Sequence, residues 1–306
     1  MTGWRSVHLF HSHAGQADLL ALAADEILRR AAPDPADWFF IRYGEGGPHV
    51  RVRIGASNGA AADAILAQLR DRCAEIAAVP VGLPVSGYPD EEGRLFGPGE
   101  AVEIAYRPEL LRYGGPVAIL EHERLFRSST ALSIGAVRRL PDIGQRGRLA
   151  VDLMLGAAAV LAAAGYGSAL DFVLYYRSSW RTMLPERTES EDRRPRQPLA
   201  QVPERLAALR VFLDGGSTPT TLAQHWTHAL ESLLTALLTL HRRGDLLSPL
   251  HGHPPGSARE LGEAMFHMIF SQAHMICNRL GLSPSQELAI VETLAASLSA
   301  AARAPD

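Results

Sequence analysis

The sequence predicts an α+β fold: a ferredoxin-like N-terminal sheet with helices over residues 1–116, then a mainly helical portion over 117–306, the two read as one integrated domain. Three observations carry this. Between Trp38 and Ile54, apolar and polar residues alternate with the period of two that belongs to strands, on both sides of the turn sequence GEGGP. The first hundred residues run strand, helix, strand, strand, helix, strand, the order of a split βαβ arrangement. After Pro116 nearly every apolar pattern has the spacing of a helix.

The elements follow in order. WRSVHLFHS alternates Val7 and Leu9 with Ser6 and His8 and reads as the opening strand. A helix from Gln16 to Arg30 is rich in Ala and Leu and places its basic residues in the last turn, where the helix dipole favours them. APDPAD breaks the chain before two strands. In the first, Phe39 and Ile41 alternate with Phe40 and Arg42; in the second, Val50, Val52 and Ile54 alternate with Arg51 and Arg53, so one sheet face should be apolar and the other cationic. Asn58 to Ala78 is helical, with Ile65, Leu69 and Ile76 on one face. Val79 to Val85 and Ala101 to Tyr106 are expected as strands around the Gly/Pro-rich loop SGYPDEEGRLFGPG.

In the second portion, helices are expected over Ala118 to Ser133, Arg146 to Ala164, Ser168 to Thr182 (with Tyr175, Tyr176 and Trp180), Leu222 to Arg243, Ser257 to Leu280 and Ser283 to Ala302. Residues 183–203 are polar and broken by proline, and read as a mobile surface loop. The last helix is well announced: Ser283 before Pro284, with Gln286 three residues on, is a capping box with proline at the first helical position.

Composition narrows the function classes. With 306 residues, 47% hydrophobic and 21% charged, the chain can bury a sizeable core. A net charge of −3 gives no reason to expect general binding to nucleic acid or to a membrane surface. Cys73 and Cys277 have no metal-type spacing and suggest no disulfide framework, so a reducing cytoplasm is the expected compartment. VDLMLGAAAVLAAAGYG is the most apolar stretch, and its Asp152 and glycines suit a buried helix better than a membrane span. His251 and His253 lack a third ligand nearby, so no metal site is expected, and no Walker A loop, nucleophile elbow, HExxH or GxGxxG occurs.

Three segments concentrate polar side chains. On the second hairpin strand, His49, Arg51 and Arg53 project from one face. YRPELLRYGG, at residues 106–115, brings Glu109 and Arg112 together in a single tight turn beside Tyr113. SQAHMICNRLG, at residues 271–281, places Ser271, His274 and Asn278 on one helical face. Each has a plain structural alternative: solvated strand arginines, a local ion pair, a satisfied core histidine.

Taken together, WFFIRY with GPHVRVRI, YRPELLRYGG with LFRSS at residues 125–129, and SQAHMICNRLG resemble the thiopeptide-type bacteriocin biosynthesis family, the SpaB C-terminal-like domain of lantibiotic dehydratases. The likeness spans essentially the whole chain, although residues 140–255 offer no motif. It implies work on a ribosomally made precursor peptide, leader plus core, in one of two reactions. One is elimination of glutamate from glutamylated Ser or Thr, giving dehydroalanine or dehydrobutyrine after a glutamyl-tRNA-dependent partner protein has acted. The other is the pyridine-forming [4+2] cycloaddition of two dehydroalanines, with loss of water and leader.

Neither reaction needs a metal or redox cofactor. The resemblance puts elimination on Arg51 or Arg53, on Arg112 and on His274, and this requires the three segments to converge; from the same segments, His49, Glu109, Tyr113, Ser271 and Asn278 are expected as substrate contacts. A tryptophan-containing segment expected of pyridine synthases is missing where this chain reads RYGEGGPH, which favours elimination. A non-catalytic leader-binding subunit is the third reading, and a homodimer is left open.

Overall fold

The computed structural model describes residues 3–31, 37–55, 61–184, 201–214 and 221–303, which fall into two compact units. The first comprises Met1–Pro108 with Phe126–Pro141 and Asn278–Gly281; the second comprises Glu109–Leu125, Asp142–Cys277 and Leu282–Asp306.

In the first unit, strands β1 (Arg5–Phe10), β2 (Trp38–Tyr43), β3 (His49–Ile54) and β4 (Ala101–Glu103) form an antiparallel sheet in the order β2-β3-β1-β4. Helix α1 (Ala14–Ala31) follows β1, and α2 (Ala62–Ala77) follows β3. The alternation read from the sequence sets the register. Val7 pairs with Val52 and Leu9 with Val50, and this face packs on Leu20, Leu28, Ile65 and Leu69 of the two helices. The opposite face carries Ser6, His8 and Phe10 against Arg53, Arg51 and His49. The hairpin turn uses Gly46 and Gly47 at positive φ, which glycine adopts without steric cost.

Two expected strands are corrected. Val79 to Val85 is not a strand, because Pro80, Gly82 and Pro84 remove donors and rigidity that a ladder needs. Instead, the carbonyls of Leu83 and Val81 accept from the amides of Ala14 and Gly15, satisfying the first turn of α1. The strand expected to reach Tyr106 ends as a regular element at Glu103.

Helix α3 (Ala118–Arg139) outlasts its expected end at Ser133, since Ile134 is buried in the sheet's core and Arg138 bonds the buried Asp25 at 2.6 Å. In the second unit, α4 (Ile143–Ala163) packs on α5 (Ala169–Met183), α6 (Val202–Leu213), α7 (Leu222–Arg243) and α9 (Pro284–Ala301). Gly156 of α4 faces Thr227 of α7 so closely that a Cβ would collide with the hydroxyl, and Trp226 donates to the Leu153 carbonyl at 3.1 Å.

Helix α8 (Ala258–Arg279) and α9 match their expected positions within one or two residues, and the capping box of Ser283 and Gln286 forms. Helix α6 was not expected; it begins where the polar stretch was read to end. Of that stretch, residues 185–200 lie outside the described residues, as do residues 58–60 of the expected second helix.

Candidate active site

On the polar face of the sheet, in the first unit, the strand arginines are not the solvated side chains such residues ordinarily are. Arg53 is only 8% exposed, its guanidinium over the rings of Tyr106 at 4.7 Å and Phe39 at 5.3 Å. Arg51 lies 3.8 Å over the Tyr43 ring, pairs with Glu45 at 3.3 Å and donates from Nε to His49 Nε2 at 2.9 Å. His49 is fully buried and donates from Nδ1 to the Gly47 carbonyl at 2.8 Å, so both its nitrogens are engaged, Nε2 by Arg51.

His8 stacks on His49 at 4.6 Å. Burial pushes the His8 imidazole down to about 2 and that of His49 to about 3, and the neighbouring guanidiniums add to both shifts. Arg51 and Arg53 border a cavity of about 330 Å³ whose wall also carries Arg94, Asp90, Glu92 and Tyr106. Asn278 also belongs to this unit. Its side-chain amide accepts from the Arg42 amide and donates to the Arg42 carbonyl, both at 2.9 Å, while Arg279 Nε donates to the Phe40 carbonyl at 2.8 Å. These side chains occupy the outer edge of β2.

In the second unit, the tight turn forms as expected. Arg112 bonds Glu109 at 3.1 Å and donates from Nε to Ser271 Oγ at 3.2 Å, a contact spanning 159 residues of sequence. Gly114 and Gly115 end the turn at φ 82° and 101°. Tyr113 is buried, its ring 4.9 Å from His122, which contacts Gln272 at 2.7 Å. Burial alone holds the His122 imidazole down at about 3. Arg112 is thus backed by a buried polar layer that immobilises its turn.

Along one face of α8 stand His267, Ser271 and His274, spaced by four and three residues. Ser271 is fully buried under Arg112. His267 bonds the Tyr175 hydroxyl at 3.0 Å, and burial, then Arg112, lowers its pKa. His274 places Nδ1 3.1 Å from both oxygens of Glu287. Glu287 is fully buried and also accepts from Tyr176 at 2.8 Å and Trp180 at 3.3 Å. The Trp180 ring meets His274 edge-on at 4.9 Å.

The structure therefore gathers His49, Arg51 and Arg53 on one sheet face, and Glu109, Arg112, Tyr113, Ser271 and His274 around α8, each group within its own unit. Sequence reasoning missed Glu287, Tyr175 as a partner, and His267. A signal existed for Glu287: with Val291, Leu294 and Leu298 it falls on the apolar stripe of α9, where a carboxylate is out of place unless it is partnered. Among the described residues, no three metal-ligating side chains come together, and no helix is long and apolar enough to cross a membrane.

The family of lantibiotic biosynthesis dehydratase C-terminal domains matches residues 4–298. Solved structures similar to this chain include the pyridine synthase TbtD from thiomuracin biosynthesis, at 17% identity and TM-score 0.62, covering 97% of this chain and 98% of that one. TsrL is similar at 16% identity and TM-score 0.67, with 98% and 95% covered. The tRNA-dependent lantibiotic dehydratase MibB from Microbispora sp. 107891 is similar at 19% identity and TM-score 0.55, with 98% of this chain matching 28% of that one. At these identities the likeness is one of fold. No curated protein sequence matches the chain.

Proposed function

Since the chain belongs to the lantibiotic biosynthesis dehydratase C-terminal family, we propose that it is a lyase of peptide maturation, eliminating glutamate from glutamylated Ser or Thr of a ribosomally made precursor. In this reaction a base removes the α-proton, the electron pair forms the Cα=Cβ bond, the Cβ–O bond breaks, and glutamate leaves as its carboxylate. His274 carries the proton, Arg112 stabilises the enolate-like oxygen, and Arg51 or Arg53 holds the departing carboxylate, for which a guanidinium fork is suited. A glutamyl-tRNA-dependent partner supplies the ester, and the work takes place in the cytoplasm. We also read the order of strands and helices in the first unit as the ferredoxin-like split βαβ arrangement.

The observation that carries the proposal is the turn-to-helix contact. Arg112, 3.2 Å from Ser271, is anchored one helical turn from a histidine whose Nδ1 is held by Glu287. Arg112→Ala and His274→Ala should each lower elimination by on the order of 10²–10⁴-fold with a glutamylated precursor, read by mass, while leaving leader affinity nearly unchanged. Parental rates in both variants would remove the assignment. Loss of leader affinity instead would favour a non-catalytic peptide-binding subunit.

A second reading is supported by the likeness to the pyridine synthase TbtD, which covers 98% of that chain. Here Ser271 or a tyrosine would promote tautomerisation for cycloaddition. Incubation with a bis-dehydroalanine precursor separates the two: release of intact leader marks cycloaddition, and loss of glutamate from the glutamylated precursor marks elimination.

A further inference from the structure

We propose that Glu287 is the positioning residue of His274: it binds the Nδ1–H of the imidazole and leaves Nε2 as the atom that takes the substrate's proton. The inference deepens the elimination reading and rests on it for the identity of the proton. The tautomer itself does not depend on that reading.

With Glu287 as a carboxylate, its partners set the direction of each hydrogen bond. Trp180 Nε1 can only donate, and it points at Glu287 Oε2 from 3.3 Å. Tyr176 reaches the same oxygen at 2.8 Å, where its hydroxyl donates. With Oε2 accepting twice, the carboxylate faces His274 as an acceptor, and Nδ1 stands 3.1 Å from both oxygens. Nδ1 is therefore the protonated nitrogen. Nε2 is left with its lone pair on a ring whose side chain is 16% exposed, against 0% for Glu287. The edge-on contact with Trp180 at 4.9 Å holds the ring plane.

Glu287 has no need of His274 for helix capping, because Ser283 and Gln286 already close the first turn of α9. Arg181, on the same helix as its two aromatic donors, pairs with Glu292 at 3.1 Å. Among the described residues, the side chains bonding Glu287 are His274, Tyr176 and Trp180. A buried carboxylate aimed at one nitrogen of a partly exposed histidine is the arrangement by which an imidazole is kept in a single tautomer and its cation stabilised once formed. In the reaction, Nε2 takes the α-proton as the Cα=Cβ bond forms and glutamate departs. The imidazolium facing Glu287 then returns its proton to solvent.

The test uses the full ¹⁵N-labelled chain, with imidazole signals read by long-range ¹H–¹⁵N correlation and assigned by their loss in His274→Ala. Neutral His274 in the parent should show protonated Nδ1 and bare Nε2. Glu287→Gln, whose amide can donate, should turn the ring to the opposite tautomer and lower kcat by on the order of 10³–10⁴-fold with KM changed less than about threefold. Glu287→Asp keeps the acceptor and should restore the Nδ1–H tautomer and part of the rate. A parent found with protonated Nε2 overturns the proposal even if neither Glu287 variant folds, and so does Glu287→Gln with parental kcat. If the tautomer is as stated but His274→Ala still eliminates glutamate, the elimination assignment falls while the His274–Glu287 pairing stands.

Discussion

At the scale of single residues, the buried histidines make a prediction about acid. His49 and His122 are held at about 3 in the folded protein, mainly by burial, against about 6.5 for a free imidazole. The folded state keeps them neutral, so between these values the unfolded chain binds protons that the native state refuses. Stability is then complete above about pH 6.5 and falls on acidification, by about 1.4 kcal/mol per pH unit for each such group. Urea unfolding at pH 7 and pH 5 should show that loss, and His122→Gln should reduce it.

Arg53 offers a second residue-scale test. Its guanidinium stacks on two aromatic rings, an arrangement that an ammonium cannot reproduce. Arg53→Lys should thus lower elimination by on the order of tenfold or more, a loss of about 1.4 kcal/mol or more, although charge is kept. Parental turnover in that variant would assign the carboxylate to Arg51.

At the scale of elements, two junctions hold the candidate residues in place. Gly114 sits at φ 82°, and a Cβ there would approach Leu246 at 2.8 Å and Met268 at 3.0 Å. Gly114→Ala should cost about 2–4 kcal/mol in unfolding experiments, from left-handed strain together with overpacking. Asn278, expected as a substrate contact, bonds its amide to the backbone N–H and carbonyl of Arg42. Asn278→Ala should lower stability by about 1–3 kcal/mol while leaving KM within about twofold. A large rise in KM without loss of stability would return Asn278 to the substrate. The same bonds bear on strand addition: with the β2 edge occupied by Asn278 and Arg279, a peptide joining this sheet as a further strand would have to do so beside β4.

At the scale of the whole molecule, the elimination reading makes the chain dependent on prior chemistry. Unmodified precursor should yield no dehydroalanine by mass until a glutamyl-tRNA-dependent partner has acted, and dehydration of unmodified precursor by this chain alone would contradict the reading. Most helices other than α6, the hairpin, the α9 capping box and the cationic strand face were legible in the sequence, since each depends on residues within a few positions of one another. The segment from Val79 to Val85 misled for the same reason: its apolar residues alternate, but its Val81 and Leu83 carbonyls serve a helix start that lies some seventy residues earlier.

By itself the sequence determined which residues share a strand or helix face, because periodicities of two and 3.6 are geometric properties of the backbone. Only the tertiary structure decided what stands opposite those faces: Ser271 against Arg112, Glu287 behind His274, and aromatic rings over Arg53. Such partners are chosen by packing between segments distant along the chain. No local pattern could indicate that a carboxylate on the apolar stripe of the last helix belongs to an imidazole on the helix before it.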